Sequence, residues 1–142
     1  REIFEQCTYP RHGGKRGVGL VRENFWGEEE LQNKTPLMVA QIETKKGVDN
    51  IEEISKVPFN YFLIGPYDLS ASLGDVGNWE VLQFKSAIKK IKDTVGENRI
   101  GYHIVKDVAQ QLPQYRDVPF LALGTDTLMI LDSLKKLNEL IK

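Results

Sequence analysis

Three polar side chains stand at the ends of apolar runs, a position where residues capable of chemistry collect in parallel α/β folds. Gln41 and Glu43 close one apolar run, and Asp68 follows the next run along the chain. Residues two apart in a strand point to the same face, so the side chains of Gln41 and Glu43 should lie on the same face of the sheet. A buried carboxylate needs a partner or a metal, because an isolated buried charge is very costly. Two carboxylates at neighbouring strand ends can converge on Mg²⁺ or Mn²⁺, with water and substrate oxygens completing the shell.

Each carboxylate also has a purely structural interpretation. Glu43 could pair with Lys45 at the rim of the sheet, and Asp68 could cap the short helix that follows it. Spacing alone favours these roles for either residue taken singly. Because the two carboxylates lie at successive strand ends, a metal site is as well supported as these structural roles, and both interpretations stay open.

Two further features lie at strand ends. The stretch from Gly65 to Gly74 is typical of a strand-to-helix turn, whose free amides could receive a substrate carboxylate. The alternative is an ordinary turn punctuated by Gly65 and Pro66. His103 closes the third apolar run and is a candidate proton carrier, although a lone histidine on a strand favours a packed or rim residue.

The elements that must position these residues alternate between strand and helix. Continuous apolar runs predict parallel strands at 35–43, 60–65, 99–104 and 120–124. Apolar stripes of helical period predict helices at 49–57, 79–95, 106–115 and 126–141. Gly96 should end the second helix, and Asp126 or Thr127 should cap the last. An acidic run at 28–30 predicts a solvated helix start.

This order gives an irregular segment at 9–34 and then four βα units over 35–142, without a linker between them. We therefore expect residues 1–142 to form a single partial domain. Two α/β architectures fit: a small flavodoxin-like open sheet, or half of a (β/α)8 TIM barrel. The first does not explain Gln41 and Glu43 as an inward-facing pair.

Composition narrows the function classes. The 142 residues include 19 Lys+Arg and 20 Asp+Glu, a net charge of −1. This balance argues against a bulk nucleic-acid binder and a polybasic membrane-surface protein, and no apolar run reaches the roughly 18 residues of a membrane span. The single cysteine, Cys7, excludes an internal disulfide framework and makes the cytoplasm the expected location. A complete barrel needs about 250 residues, and the chain begins with Arg1 rather than Met, so we expect a fragment.

Several motifs together resemble those of one enzyme family. They are Y-P-R-H-G-G-K-R-G-V-G at 9–19, A-Q-I-E-T at 40–44, I-G-P-Y-D-L-S-A-S-L-G at 64–74 and A-L-G-T-D at 122–126. The chain resembles the HpcH/HpaI aldolases, metal-dependent 2-oxo-acid aldolases of the citrate lyase β-subunit-like superfamily. The resemblance implies the C-terminal half of a (β/α)8 barrel, with four parallel strands and their helices, in a homo-oligomer.

The resemblance also implies roles for individual residues. Glu43 and Asp68 match the family's metal ligands, and Gln41 matches a glutamine near the bound pyruvate. Gly65 and Pro66 match the turn that receives the pyruvate carboxylate. The implied reaction cleaves a 4-hydroxy-2-oxo acid to pyruvate and an aldehyde, with Mg²⁺, Mn²⁺ or Co²⁺ as Lewis acid.

The chain departs from the family pattern in what it contains. The family's pyruvate-contacting arginine and proton-transfer histidine belong to the N-terminal half, so the catalytic residues are expected outside this sequence. Arg11 and His12 stand where the family tends to carry a proline and an arginine. Two alternatives therefore stay open: a catalytically silent half-barrel that survives by association, and a relative of the citryl- or malyl-CoA lyases.

Overall fold

The computed structural model describes residues 1–19, 26 and 36–141. Its strands are β1 (Val39–Ile42), β2 (Tyr61–Ile64), β3 (Ile100–Ile104) and β4 (Phe120–Leu123). Its α-helices are α1 (Glu2–Cys7), α2 (Lys45–Asp49), α3 (Ile51–Ser55), α4 (Pro66–Ser72), α5 (Leu82–Val95), α6 (Val108–Gln111) and α7 (Asp126–Ile141). Short 3-10 turns cover Pro10–His12, Glu97–Arg99 and Leu112–Tyr115.

The strands form one parallel sheet in the order β1-β2-β3-β4. Each strand pairs with the next in sequence, and helices fill the connections between them. This order confirms the expected α/β sheet of four parallel strands with helices, as in half of a (β/α)8 barrel. The flavodoxin-like alternative is wrong, because its strand order reverses at a switch point and this order does not.

One face of the sheet carries the hydrophobic core. The strand residues Ile42, Phe62, Ile64 and Ile100 are buried there against α2 to α5. The helix side of this core consists of Val48, Ile51, Leu69, Phe84, Ala87, Ile91 and Val95. The spacing of the last four gives α5 an apolar stripe of helical period, as predicted. This packing fixes the strand ends that carry the candidate site.

The opposite face of the sheet, here called the open face, presents the alternate strand residues. It carries Gln41, Tyr61, Leu63, Gly101, His103 and Phe120. The rings of Tyr61 and Phe120 stack there with centroids 5.1 Å apart. Continuous apolar strands are typical of sheets covered on both faces, but within residues 1–19 and 36–141 only the core face, not the open face, carries a packed helix layer.

The boundaries of three predicted helices differ from those observed, and the helix expected at 79–95 differs only in its start, because α5 begins at Leu82. The helix expected at 49–57 begins earlier, because the Thr44 hydroxyl caps α2 by accepting from the Gly47 N–H at 3.0 Å. It is also divided at Asn50 into α2 and α3. The helix expected at 106–115 turns into a 3-10 turn after Gln111. Gly96 ends α5 as predicted, at φ +84°.

The last helix is correctly predicted in extent, and two side chains bond to the backbone at its start. The Asp126 carboxylate, one of the two predicted caps, accepts from the Thr127 N–H at 2.7 Å, and the Thr125 hydroxyl, which was not predicted, accepts from the Leu128 N–H at 3.4 Å. The predicted apolar stripe of α7 stays exposed, with Ile130 at 60% and Leu134 at 55%. No helix in the described ranges is both long and apolar enough to cross a membrane.

The start of the glycine-rich motif folds back on itself. Tyr9 is buried, and the Arg16 guanidinium lies 4.7 Å from the centre of its ring. The Arg16 N–H donates to the Thr8 carbonyl at 2.9 Å, which closes the loop. The acidic run at 28–30 lies outside the described residues.

We predict that Ile91→Ala lowers the free energy of unfolding by about 2–5 kcal/mol, because Ile91 is completely buried between α5 and the sheet. Urea denaturation of the protein that carries this chain measures the change. Leu82→Ala, on the same helix at 79% exposure, is the matched control and should shift stability by less than about 0.5 kcal/mol. Equal effects of the two variants would contradict the assigned core.

Candidate functional site

The end of β1 holds a hydrogen-bonded polar pair. The Gln41 side-chain amide donates to Glu43 Oε2 at 2.7 Å. Gln41 is exposed and Glu43 is half-buried. The bond fixes one carboxylate oxygen, whereas Oε1 accepts no hydrogen bond from any residue of the described ranges. The rim pair between Glu43 and Lys45 is not formed, because the Lys45 ammonium instead contacts Asp49 Oδ2 at 2.6 Å.

The backbone of Gly65, which follows β2, lies closer to this pair than a residue with a Cβ atom could. The Gly65 N–H donates to the Ile42 carbonyl at 3.1 Å. A Cβ on Gly65 would lie 2.9 Å from Glu43 Cβ and 3.0 Å from Gln41 Nε2. Its φ of −94° is accessible to any residue, so the glycine is required by space and not by backbone conformation. Three predicted site residues, Gln41, Glu43 and Gly65, are thus brought together.

The following helix, α4, presents the other predicted residues. Pro66 occupies its first position, and Asp68 lies in its first turn. Asp68 is exposed and makes no hydrogen bond or ion pair with the rest of the described chain. No side chain caps α4, so the interpretation of Asp68 as a helix cap is wrong. Because Pro66 has no N–H, the free amides at this end belong to Tyr67 and Asp68.

The donor set at these strand ends suits a hard divalent cation. The described residues contain no group of three or more His, Cys, Asp or Glu side chains that could hold a metal. Mg²⁺, however, is usually held by one or two carboxylates, with water and substrate oxygens completing its octahedron. The carboxylate of half-buried Glu43 and the unpaired carboxylate of Asp68 are oxygen donors of the kind that such an ion takes.

Two serines that the sequence interpretation did not single out hold α4 in place. The buried Ser70 hydroxyl donates to the Tyr67 carbonyl at 2.8 Å and accepts from the Gly77 N–H at 2.9 Å. The Ser72 hydroxyl accepts from the Lys45 N–H at 2.8 Å, which ties the end of α4 to the start of α2. Both serines lie in the motif at 64–74. Since serine hydroxyls often bond to nearby backbone groups, their presence there could have predicted this structural role.

His103 lies on the open face near the end of β3. It is half-buried, and its Nε2 is 2.8 Å from the Gly124 carbonyl oxygen. The favoured interpretation as a packed or rim residue accounts for this contact. It does not account for the other ring nitrogen, Nδ1, which makes no hydrogen bond within the part of the chain that the structure covers.

The profile of the HpcH/HpaI aldolase/citrate lyase family matches residues 1–132. The chain belongs to this family. Among curated relatives, 2-keto-3-deoxy-L-rhamnonate aldolases of Shigella dysenteriae serotype 1 and Escherichia coli are each 32% identical to it over 153 aligned positions. All of this chain aligns with them, and it spans 56% of their length. The family resemblance predicted from the motifs is confirmed.

Solved structures of the same family share the fold. An HpcH/HpaI aldolase from Desulfitobacterium hafniense superposes with a TM-score of 0.72 at 25% identity, covering 100% of this chain and 58% of that one. A family protein from Burkholderia cenocepacia gives 0.74 at 24% identity, covering 98% and 59%. Since these neighbours are barrels of this family, the sheet of four strands corresponds to about half of one.

We predict that Gly65→Ala lowers the free energy of unfolding by about 1–3 kcal/mol, because the new methyl group would overlap Glu43 Cβ and Gln41 Nε2. Thermal and urea unfolding measure the loss. Gly17→Ala is the matched control, since a Cβ there would meet nothing within 4 Å. A Gly65→Ala variant as stable as this control would show that the close approach is absent.

Proposed function

We propose that the protein carrying this chain is a divalent-metal-dependent aldolase that cleaves a 4-hydroxy-2-oxo acid to pyruvate and an aldehyde. The observation that carries the proposal is the Gln41–Glu43 pair packed on Gly65, with the unpaired Asp68 carboxylate at the next strand end. Family membership and relatives named as 2-keto-3-deoxy-L-rhamnonate aldolases support the same reaction class.

The chain's own residues would bind and orient the 2-oxo-acid end of the substrate. Glu43 and Asp68 would hold the metal, while the Gln41 amide keeps Glu43 Oε2 in a fixed direction. The backbone at Gly65 and Pro66, with the free amides of the first turn of α4, would receive the substrate carboxylate. A bound Mg²⁺, Mn²⁺ or Co²⁺ would supply Lewis-acid stabilisation of the negative charge that develops on the 2-oxo oxygen.

The reaction itself constrains what else is needed. Cleavage breaks the bond between C3 and C4, takes the proton from the 4-hydroxyl and returns a proton to C3, which yields pyruvate and an aldehyde. The chain would supply binding and orientation for this step. We place the proton-transfer residue outside this chain, because the family resemblance assigns that role to a histidine of the N-terminal half of the barrel.

We predict that Glu43→Gln and Asp68→Asn each reduce aldol turnover roughly 100-fold or more, because each removes a charged ligand from the ion that stabilises the transition state. Turnover is measured with pyruvate and an aldehyde in the presence of Mn²⁺. Calorimetric titration should show Mn²⁺ binding that pyruvate tightens in the unsubstituted protein and that both variants lose.

Glu52→Gln is the matched control for this pair of variants. Glu52 is exposed on α3, away from the strand ends, and the change removes the same charge. It should leave Mn²⁺ affinity and turnover within about twofold of the unsubstituted protein. Undiminished turnover in both site variants would contradict the proposal, and cleavage of CoA thioesters without pyruvate aldol activity would favour the CoA-lyase alternative.

A further inference from the structure

A cavity of about 390 Å³ lies on the core face of the sheet. Three strand residues line it, Ile64, Tyr102 and Ile104. They alternate along their strands with residues of the open face, on which Gln41 lies. Small-molecule sites in proteins typically have volumes of roughly 300–1,000 Å³. The cavity is therefore large enough for a small ligand, and these strand residues point away from the face that carries Gln41.

Two groups of aromatic rings line this cavity. Trp79 contacts Tyr67 and Phe84, with ring centres 5.0 and 5.3 Å away. Tyr102 on β3 and Tyr115 in the last 3-10 turn form the second group, with ring centres 5.3 Å apart. These contacts hold the rings in place, and aromatic side chains stabilise another flat ring that packs against them. The space, here called the aromatic cavity, therefore fits an aromatic ligand.

The charge around the aromatic cavity is positive. Among the described residues, no Asp or Glu lines it, whereas Lys106 does. Lys106 is exposed, and its ammonium forms no ion pair within the described ranges. Lys92 on α5 adds a second positive charge, because its Nζ lies 5.7 Å from the centre of the Tyr102 ring. Aromatic sites can also bind cations, but two ammonium groups without a lining carboxylate favour an anion.

Hydrogen bonds fix the loop that carries Lys106. The Gln111 side-chain amide donates to the Lys106 carbonyl at 2.9 Å. The Asp107 carbonyl accepts from the Gln110 and Gln111 N–H groups, both at 3.0 Å. Asp107 itself has φ +50°, a left-handed conformation that aspartate adopts more readily than most residues. The loop is thus held by its backbone, and the Lys106 ammonium stays available to a ligand.

We propose that the aromatic cavity is a second binding site, one that takes a small aromatic carboxylate. The ring of the ligand packs against the aromatic side chains, and its carboxylate pairs with the Lys106 ammonium. The site is distinct from the one assigned to the 2-oxo acid, and the inference does not depend on the aldol reaction.

Three bicyclic probes of similar size test this proposal through their charge. The probe 2-naphthoate is an anion, 2-naphthamide is neutral and N-methylquinolinium is a cation. Calorimetric titration into the protein that carries this chain measures the Kd of each. The titrations are run with and without saturating pyruvate and Mn²⁺, because Pro66 and His103 also line the cavity.

We expect 2-naphthoate to bind about 3-fold more tightly than 2-naphthamide, and N-methylquinolinium to bind most weakly. Pyruvate and Mn²⁺ should leave the Kd of 2-naphthoate within about twofold, because the two sites are distinct. Lys106→Gln should abolish the difference between 2-naphthoate and 2-naphthamide, since it removes only the ion pair. Tyr115→Leu should weaken both of these probes about 5-fold, because it removes an aromatic ring but keeps an apolar side chain.

Lys136→Gln is the matched control for the loss of charge. Lys136 is exposed on α7, and its replacement should leave every Kd within about twofold. No binding of 2-naphthoate, displacement of 2-naphthoate by pyruvate, or tightest binding of the cation would overturn the proposal. So would equal effects of Lys106→Gln and Lys136→Gln, or unchanged binding in a Tyr115→Leu variant that thermal unfolding shows to be folded.

Discussion

The candidate site depends on one close approach, that of the Gly65 backbone to the Gln41–Glu43 pair. A Cβ at Gly65 would lie within 3.2 Å of Glu43 Cβ, Gln41 Nε2 and Glu43 Oε2. The absence of that single atom lets the ends of β1 and β2 converge without separating the amide from the carboxylate. The Gln41–Glu43 hydrogen bond at 2.7 Å then gives the carboxylate a fixed direction.

The rest of the chain maintains this approach from behind. The core between the sheet and helices α2 to α5 fixes the strand positions, since Ile51, Phe62 and Ile91 have no exposed surface. Ser70 and Ser72 tie α4 to its own turn and to α2. The Asp68 carboxylate is consequently presented by a short helix that hydrogen bonds tie to the loop after it and to α2.

Much of this arrangement was predictable from the sequence, and the reasons are local. Continuous apolar runs predicted the four strands, and the motifs around Glu43 and Asp68 predicted the family. The hydrogen bonds by which the Thr44 and Thr125 hydroxyls cap their helices were not predicted. They depend on the backbone conformation just before each helix, which an apolar pattern does not reveal. The register that pairs Ile64 with Tyr102 was not predicted, because it depends on pairing between residues about 40 positions apart, which no single segment encodes.

We propose that Glu43 and Asp68 bind one divalent ion together beside the Gly65 turn. The most direct test is a crystal structure of the protein carrying this chain, soaked with Mn²⁺ and pyruvate and measured for anomalous scattering. We expect one Mn²⁺ peak within coordination distance of a carboxylate oxygen of Glu43 and of Asp68, with the pyruvate carboxylate against the Gly65–Pro66 backbone. A Mn²⁺ peak on other residues, or pyruvate bound away from this turn, would contradict it.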